Sequence, residues 1–307
     1  MLTKVTEGIY LLVVQYRGGM GATNCYLVKG ENGYTIIDTG VYSQQAIETW
    51  QKVLDSGIDV EKVVLTHVHQ DHIGLAKWFQ NKGVPIIVSK IGLGEMEKHR
   101  HPDFEKRMTR LLKSHGVTDV PKRLDWSNIY QFEPDTLFEL GEKVKIGNEW
   151  YETIWTPGHS YDHFCFYNRE KKLMFAGDHV LREISPVIGL WEGEEFNALQ
   201  YYLDSIDRIL QYSTDFALTG HGEPINNFKD RVLEIKDGHE KRLEQIYKIV
   251  KDEAKTALEV TLEVYGVVKQ KYLASPFMAS LTRLIYLEER GIVRRYEQNG
   301  VYTFKAT

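Results

Sequence analysis

The run Thr66-His67-Val68-His69-Gln70-Asp71-His72 places three imidazoles and a carboxylate within six residues, directly after the short apolar stretch Lys62-Val63-Val64-Leu65. A fold that accepts this run must end a buried strand in a polar loop whose side chains converge. In extended backbone, side chains at i and i+2 point to the same side, so His67 and His69 can reach one ion together. Asp71 and His72, beyond the turn, can then face a second point close by. Imidazole with carboxylate is a ligand set for zinc, manganese or iron. An all-nitrogen-and-oxygen set without cysteine suits a catalytic rather than a structural metal. The competing reading, a chance run of surface or helix-capping histidines, is disfavoured by the spacing.

The flanking sequence predicts where such a loop sits. Residues 9–40 read as strand, glycine, strand, glycine, strand, with β-branched and aromatic residues around the turn Glu31-Asn32-Gly33, a hairpin signature. Residues 44–56 carry Ala46, Ile47, Trp50, Val53 and Leu54 at helical spacing. The histidine strand follows, then a helix and another short strand over 84–90. This order predicts an α/β layered core. Strands resume at 138–140, 143–146, 150–156, 163–168 and 172–178. A helix is expected over 197–212 and a last strand and loop over 215–224.

Two regions depart from that rhythm. Residues 95–128 are charged and lack strand alternation, and 95–123 hold 8 basic against 5 acidic residues. They predict a helical insertion over one edge of the core, a lid or specificity element in function. Met96, Phe104, Met108, Leu111 and Leu112 are spaced to form one apolar helix face packed on the core. A second regime begins near 229. A long helix over 229–252 with apolar positions Leu233, Leu243, Ile246, Tyr247 and Val250 precedes helices over 258–270 and 276–290 and a hairpin turning at Asn299-Gly300. Helices closed by a two-stranded wing are the pattern of a winged helix, so the expected domains are 1–228 and 229–307.

Composition removes several function classes. Of 307 residues only Cys25 and Cys165 are cysteines, which excludes a disulfide framework and every CxxC motif and suggests inert core thiols in a cytoplasmic protein. The net charge of −5 argues against a protein that grips polyanions through its bulk surface. It conceals an uneven division: 23 basic and 31 acidic residues over 1–228, and 15 basic and 12 acidic over 229–307. The apolar run 9–14 is far shorter than the roughly 20 residues of a membrane span, so no membrane partner is expected.

Four further motifs stand in order along the chain: Ile37-Asp38-Thr39-Gly40, Thr156-Pro157-Gly158-His159-Ser160, Ala176-Gly177-Asp178 and Thr219-Gly220-His221-Gly222. With the HxHxDH run they make residues 5–228 resemble the metallo-β-lactamase-fold hydrolases. The resemblance implies an α/β fold, a four-layer αββα sandwich carrying here the helical insertion and a C-terminal helical/winged-helix domain. It also implies two divalent metal ions. His67, His69 and His159 would hold the first, Asp71, His72 and His221 the second, and Asp178 would bridge them. Independently of the family, seven nitrogen and oxygen ligands are too many for one tetrahedral zinc and suit two ions. Zinc is the expected metal, with manganese or iron as the other choices. The implied nucleophile is a metal-bridging hydroxide, with Asp71 also accepting or steering its proton.

Departures from related patterns narrow the activity. Asp178 stands where a zinc β-lactamase that binds its second ion through cysteine would show Cys. HxHxDH differs from the HxExD of the di-iron oxidoreductases of this fold, and the persulfide dioxygenases, which share the run while using one iron, remain a minor alternative. The expected function is hydrolysis of a small carbonyl substrate, a thioester, lactone or other ester. The alternative is a ribonuclease or phosphodiesterase using the same metals. A regulatory protein with a vestigial site is opposed by the intact ligand set. Around the ligands, Asp38 is expected to support the metal loop. Asp162 and His163 either orient a ligand or form an ordinary strand-start pair, and His179 faces the site or turns away. His99, His101, His115 and His239 are read as surface residues. In the tail, Arg283 and Arg290 stand against Glu288 and Glu289, and Arg294 and Arg295 against Glu297. This poor phosphate footprint favours packing or a homodimer over nucleic acid. The expected partner is therefore a small-molecule substrate.

Overall fold

A computed structural model describes residues 2–120 and 126–307. Part of the predicted insertion, 121–125, lies outside the described residues. Strands β1 (Thr3–Thr6), β2 (Ile9–Gln15), β3 (Ala22–Lys29) and β4 (Tyr34–Ile37) form an antiparallel meander. Strands β5 (Val60–Val64), β6 (Ile86–Ser89) and β7 (Thr136–Phe138) then add in parallel, completing one seven-stranded sheet in sequence order. Helices α1 (Gln44–Asp55), α2 (Gln70–Ile73), α3 (Ala76–Gln80), α4 (Lys90–Arg100) and α5 (Phe104–Ser114) occupy the crossovers. Strands β8 (Lys143–Ile146), β9 (Glu149–Trp155), β10 (Phe164–Asn168), β11 (Leu173–Gly177) and β12 (Phe216–Thr219) make a second sheet. In it only β11 and β12 pair in parallel, joined through α6 (Ala198–Ile209).

The layers follow from which faces are apolar. Between the sheets, Tyr26, Ile37 and Val64 meet Tyr151, Phe164, Phe166, Phe175 and Leu218. Outside the first sheet, Trp50 of α1 and Phe79 of α3 pack over Leu12, Leu27 and Ile36. Outside the second, Leu199, Tyr202 and Ile206 of α6 pack over Ile154, Tyr167 and Met174. The result is helix, sheet, sheet, helix. Parallel pairing places the C-terminal ends of β4, β5 and β6 at one edge of the sandwich, and those of β11 and β12 beside them.

The chain ends in α7 (Phe228–Ile249), α8 (Ala257–Tyr265), α9 (Ala274–Glu289) and a hairpin of β13 (Val293–Gln298) and β14 (Val301–Ala306). Asn299 and Gly300 both have positive φ, 53° and 77°, as a two-residue hairpin turn of matching twist requires. Helix α8 starts at a Thr256–Glu259 capping box and stops at Gly266, with φ of 75°, short of the predicted 270.

Several expectations are corrected. The inward face of α7 is Phe228, Val232, Ile235, His239 and Ile246, while Leu233 is exposed. The insertion contains two helices, broken around Pro102, and its apolar residues split between two cores: Met96 joins the layer outside the first sheet, and Met108, Leu111 and Leu112 join the layer outside the second. His115 and His239 are buried, not solvated. His115 bonds through Nδ1 to the Leu111 carbonyl at the end of α5 and lies against Tyr302 and Phe304 of the terminal hairpin. His99 is half-buried, stacked on Tyr130 at 4.6 Å, and His101 is exposed as expected. Cys25 and Cys165 are buried free thiols, and burial pushes the Cys165 thiol up to about 12.

Candidate metal centre

All seven predicted ligands converge at the strand ends. His67 and His69 lie in the loop after β5, Asp71 and His72 on the short α2, His159 in the loop between β9 and β10, Asp178 directly after β11 and His221 after β12. Their ligand atoms form three groups, each within 4.8 Å: His67, His69 and His159; His67, His72 and Asp178; Asp71, His72 and His221. Asp178 Oδ2 stands 3.4 Å from His159 Nε2, 3.4 Å from His72 Nε2 and 3.1 Å from His221 Nε2, so it touches ligands of both outer groups. Gly220 is required here because a Cβ would sit 2.1 Å from Asp178 Oδ1. A surface cleft of about 750 Å³ along β7 and β8, lined by Leu137, Val144 and Trp150, includes none of these residues.

Partners fix four of the five imidazoles through an outer nitrogen, the arrangement that orients metal-ligating histidines, while His69 Nδ1 lies 2.9 Å from His159 Nε2 within the group. His159 Nδ1 donates to the Val187 carbonyl at 2.8 Å, and His221 Nδ1 donates to the Ala22 carbonyl. His72 Nδ1 donates to Asp38 Oδ2 at 2.8 Å, and His67 Nδ1 donates to Thr66 Oγ1 at 2.9 Å. Asp38 is thus a support rather than a simple turn residue, since it also accepts from the Thr66 N–H at 2.9 Å and hydroxyl at 2.7 Å. The inner atoms His67 Nε2, His72 Nε2 and Asp178 Oδ1 are buried without a hydrogen-bond partner. Buried polar atoms are rarely left so, and this set fits divalent transition metals.

The residues weighed at the rim also take defined places. His163 Nδ1 donates to Thr156 Oγ1, and its Nε2 accepts from the backbone N–H of Asp178 at 3.0 Å. Asp162 Oδ2 accepts from the Val68 N–H at 2.9 Å, inside the histidine loop. Both therefore brace candidate ligands. His179 turns away toward Ser205 of α6, 3.3 Å from its hydroxyl.

Charges are arranged in two regimes. Burial, reinforced by neighbouring imidazoles, keeps His67, His69 and His159 below the ordinary histidine value, hence neutral and able to ligate. Burial opposes protonation of His72 and His221 too, but Asp178 and the other carboxylates outweigh it and raise both. Asp178 is held well below the carboxylate range by His221 and His72 despite its burial. Behind the loop, burial and Glu95 lift Asp162 to about 7 and Glu192 to about 8.

Two side chains at this site gave no sequence signal. The Tyr16 hydroxyl, at the end of β2, donates to Asp71 Oδ2 at 2.8 Å. Burial and then the Asp71 charge raise its pKa, so Tyr16 stays a donor. Trp191 donates from Nε1 to the His159 carbonyl at 3.0 Å and stands edge-on to His69 at 6.0 Å. It lies in an irregular segment, where periodicity is silent.

A profile of the Metallo-beta-lactamase superfamily matches residues 18–236. The chain belongs to this superfamily. It is 26% identical over 313 residues to the probable metallo-hydrolase YqjP of Bacillus subtilis, covering 97% of this chain and 98% of that one. It is 26% identical over 306 residues to an atrochrysone carboxyl ACP thioesterase of Emericella nidulans, covering 94% of this chain and 84% of that one. Its fold matches the crystal structure of a metallo-beta-lactamase family protein from Thermus thermophilus with a TM-score of 0.88. The identity is 28%, over 99% of this chain and all of that one. As a member of the metallo-beta-lactamase superfamily, the protein is a metallo-hydrolase. No helix among the described residues is long and apolar enough to cross a membrane.

Proposed function

We propose that this protein is a dinuclear metal-dependent hydrolase of thioesters or related small carbonyl esters. The observation that carries the reading is the position of Asp178 Oδ2, within 3.4 Å of His159 on one side and of His72 and His221 on the other. His67, His69 and His159 would hold one ion, Asp71, His72 and His221 the other, and Asp178 would be shared. Water activation and polarisation of the scissile carbonyl are what such a pair supplies when bound, with zinc the expected metal. The chain's own residues do the rest. Asp38, Val187 and Ala22 hold the imidazoles with their inner nitrogens facing the centre. Tyr16 fixes one oxygen of Asp71, which is placed to take the proton of the attacking water. Trp191, edge-on to His69 at 6.0 Å, would serve as an aromatic wall for the acyl part.

Thioesters are favoured over phosphodiesters by the thioesterase relative and by the tail. We read residues 229–307 as a winged-helix domain that packs rather than binds nucleic acid. Supporting this, α9 is buried from Phe277 to Leu287, and Arg295 is spent on Glu288 and Glu195, each at 2.7 Å. The test is a panel of thioesters, lactones, phosphodiesters and single-stranded RNA, assayed after reconstitution with zinc, manganese or iron. Thioester turnover that needs two metal equivalents is expected. Turnover of RNA or phosphodiesters above that of every carbonyl substrate, with a steep loss on adding salt, would refute the reading.

A further inference from the structure

The C-terminal helices enclose a cation without a counter-charge. Arg283 lies in the middle of α9 and is 8% exposed, and a guanidinium stays protonated in a protein. Its Nη1 donates to the Ala279 carbonyl one turn back, and its Nη2 donates to His239 Nδ1 on α7 at 3.0 Å. The Nε–H is buried with no acceptor among the described residues. The groups that act on it electrostatically are Arg242, a second cation, and the phenols Tyr265 and Tyr202, none of them a carboxylate. Nearby acids are committed elsewhere: Asp237 to Lys241, Glu244 to Lys248, Glu288 to Arg295 and Glu289 to Asn197. His239 adds a second donor in want of a partner. Because its Nδ1 accepts from Arg283, its proton resides on Nε2, which is buried and unpartnered.

Taking an unpaired charge out of water costs far more than two hydrogen bonds return. We infer that the unpartnered Nε–H of Arg283, with the half-exposed Arg242 on the solvent side, forms a binding site for a small oxyanion, a phosphate or carboxylate, that supplies the missing counter-charge, while His239 fixes the guanidinium from the other side. The planar fork of a guanidinium suits an oxyanion better than a halide. The site lies apart from the candidate ligands, where α7 and α9 dock onto α6. There His239 meets the ring of Tyr202 at 5.2 Å, and Tyr202 donates to the His179 carbonyl at 2.9 Å. An anion bound here would fasten the terminal helices to the catalytic layers.

The test is thermal unfolding of the full chain, titrated with inorganic phosphate and, in a second arm, with acetate. Ionic strength is held constant with chloride. The expected result is a saturable rise in Tm of about 2 °C with at least one of the two anions. The arm that responds identifies the ligand chemistry. Arg283→Met removes the charge that needs a partner and should fold without the anion while losing the response. Phosphate that binds at the metal centre instead would act equally on this variant. Arg242→Gln keeps the buried cation and should shift the titration midpoint about tenfold upward. An equal response in Arg283→Met and wild type, or no saturable response to either anion, overturns the inference. Should Arg283→Met fail to fold, an unchanged midpoint in Arg242→Gln overturns it.

Discussion

Replacing Asp38 by Asn isolates what one carboxylate does for the metal loop. Asp38 has a positive φ of 58°, a conformation asparagine tolerates as well as aspartate, so the backbone is not perturbed. Three donors converge on its two oxygens: the Thr66 N–H at 2.9 Å, the Thr66 hydroxyl at 2.7 Å and His72 Nδ1 at 2.8 Å. An amide has one accepting oxygen. If that oxygen keeps the Thr66 N–H, the NH₂ group faces Thr66 Oγ1 and His72 Nδ1. The imidazole must then lose its bond or move its proton to Nε2, the atom 3.4 Å from Asp178 Oδ2 that would face the metal. Hydrogen bonds to a charged group contribute about 1.5–3 kcal/mol each, and part of the loss is recovered by re-pairing. A net loss of about 2.5 kcal/mol corresponds to roughly 70-fold weaker retention of the ion held by His72, within the range found for outer-shell partners of metal sites. Competition with a chromophoric chelator, titrating metal-free protein with zinc, reads the two equivalents separately. The ion that His67, His69 and His159 would hold should weaken less, because Asp38 reaches that group only through Thr66. Second-equivalent affinity within about threefold of wild type, in a variant with native circular dichroism, would refute the reasoning.

Tyr16→Phe removes the donor to Asp71 Oδ2 and leaves the rest of the site intact. The same chelator assay should show about tenfold weaker binding of the second equivalent, and wild-type affinity would mean Tyr16 does not hold Asp71. Asp162→Asn tests the buried carboxyl behind the loop. Burial lifts Asp162 from 3.8 to about 7, so between those values the folded chain keeps a proton that the unfolded chain has released. This group therefore makes stability fall as pH rises toward about 7 and level off above it, by at most about 1.4 kcal/mol per pH unit. Asparagine is neutral throughout, so urea unfolding across that window should show wild type losing stability relative to the variant as pH rises. A pH-independent difference would mean the folded chain does not hold that proton.

The seven candidate ligands were legible through the resemblance to the metallo-β-lactamase fold, whose motifs each sit at the end of a strand that could be read locally. His67, Asp178 and His221 follow β5, β11 and β12, and parallel pairing of β4 with β5 and of β11 with β12 brings those ends to one edge. No long-range instruction beyond the strand order is needed to assemble five imidazoles and two carboxylates there. What stayed hidden depends on partners far away in the chain. Tyr16 reaches Asp71 across 55 residues, through the pairing of the first strands into the same sheet. His115 and His239 look polar in their own helices, and each is buried by a different late element, His115 by Tyr302 and Phe304 of the terminal hairpin and His239 by Arg283 of α9. The break between α4 and α5 and the early stop of α8 had local signals, Pro102 and Gly266, that apolar spacing overrode. A histidine count alone therefore does not separate ligands from core residues. All four leave a buried Nε2 without a hydrogen-bond partner, and the distinction lies in what it faces: those of His67 and His72 gather with other imidazoles and Asp178, whereas that of His115 stands 3.5 Å from Glu195 and that of His239 joins no such group among the described residues.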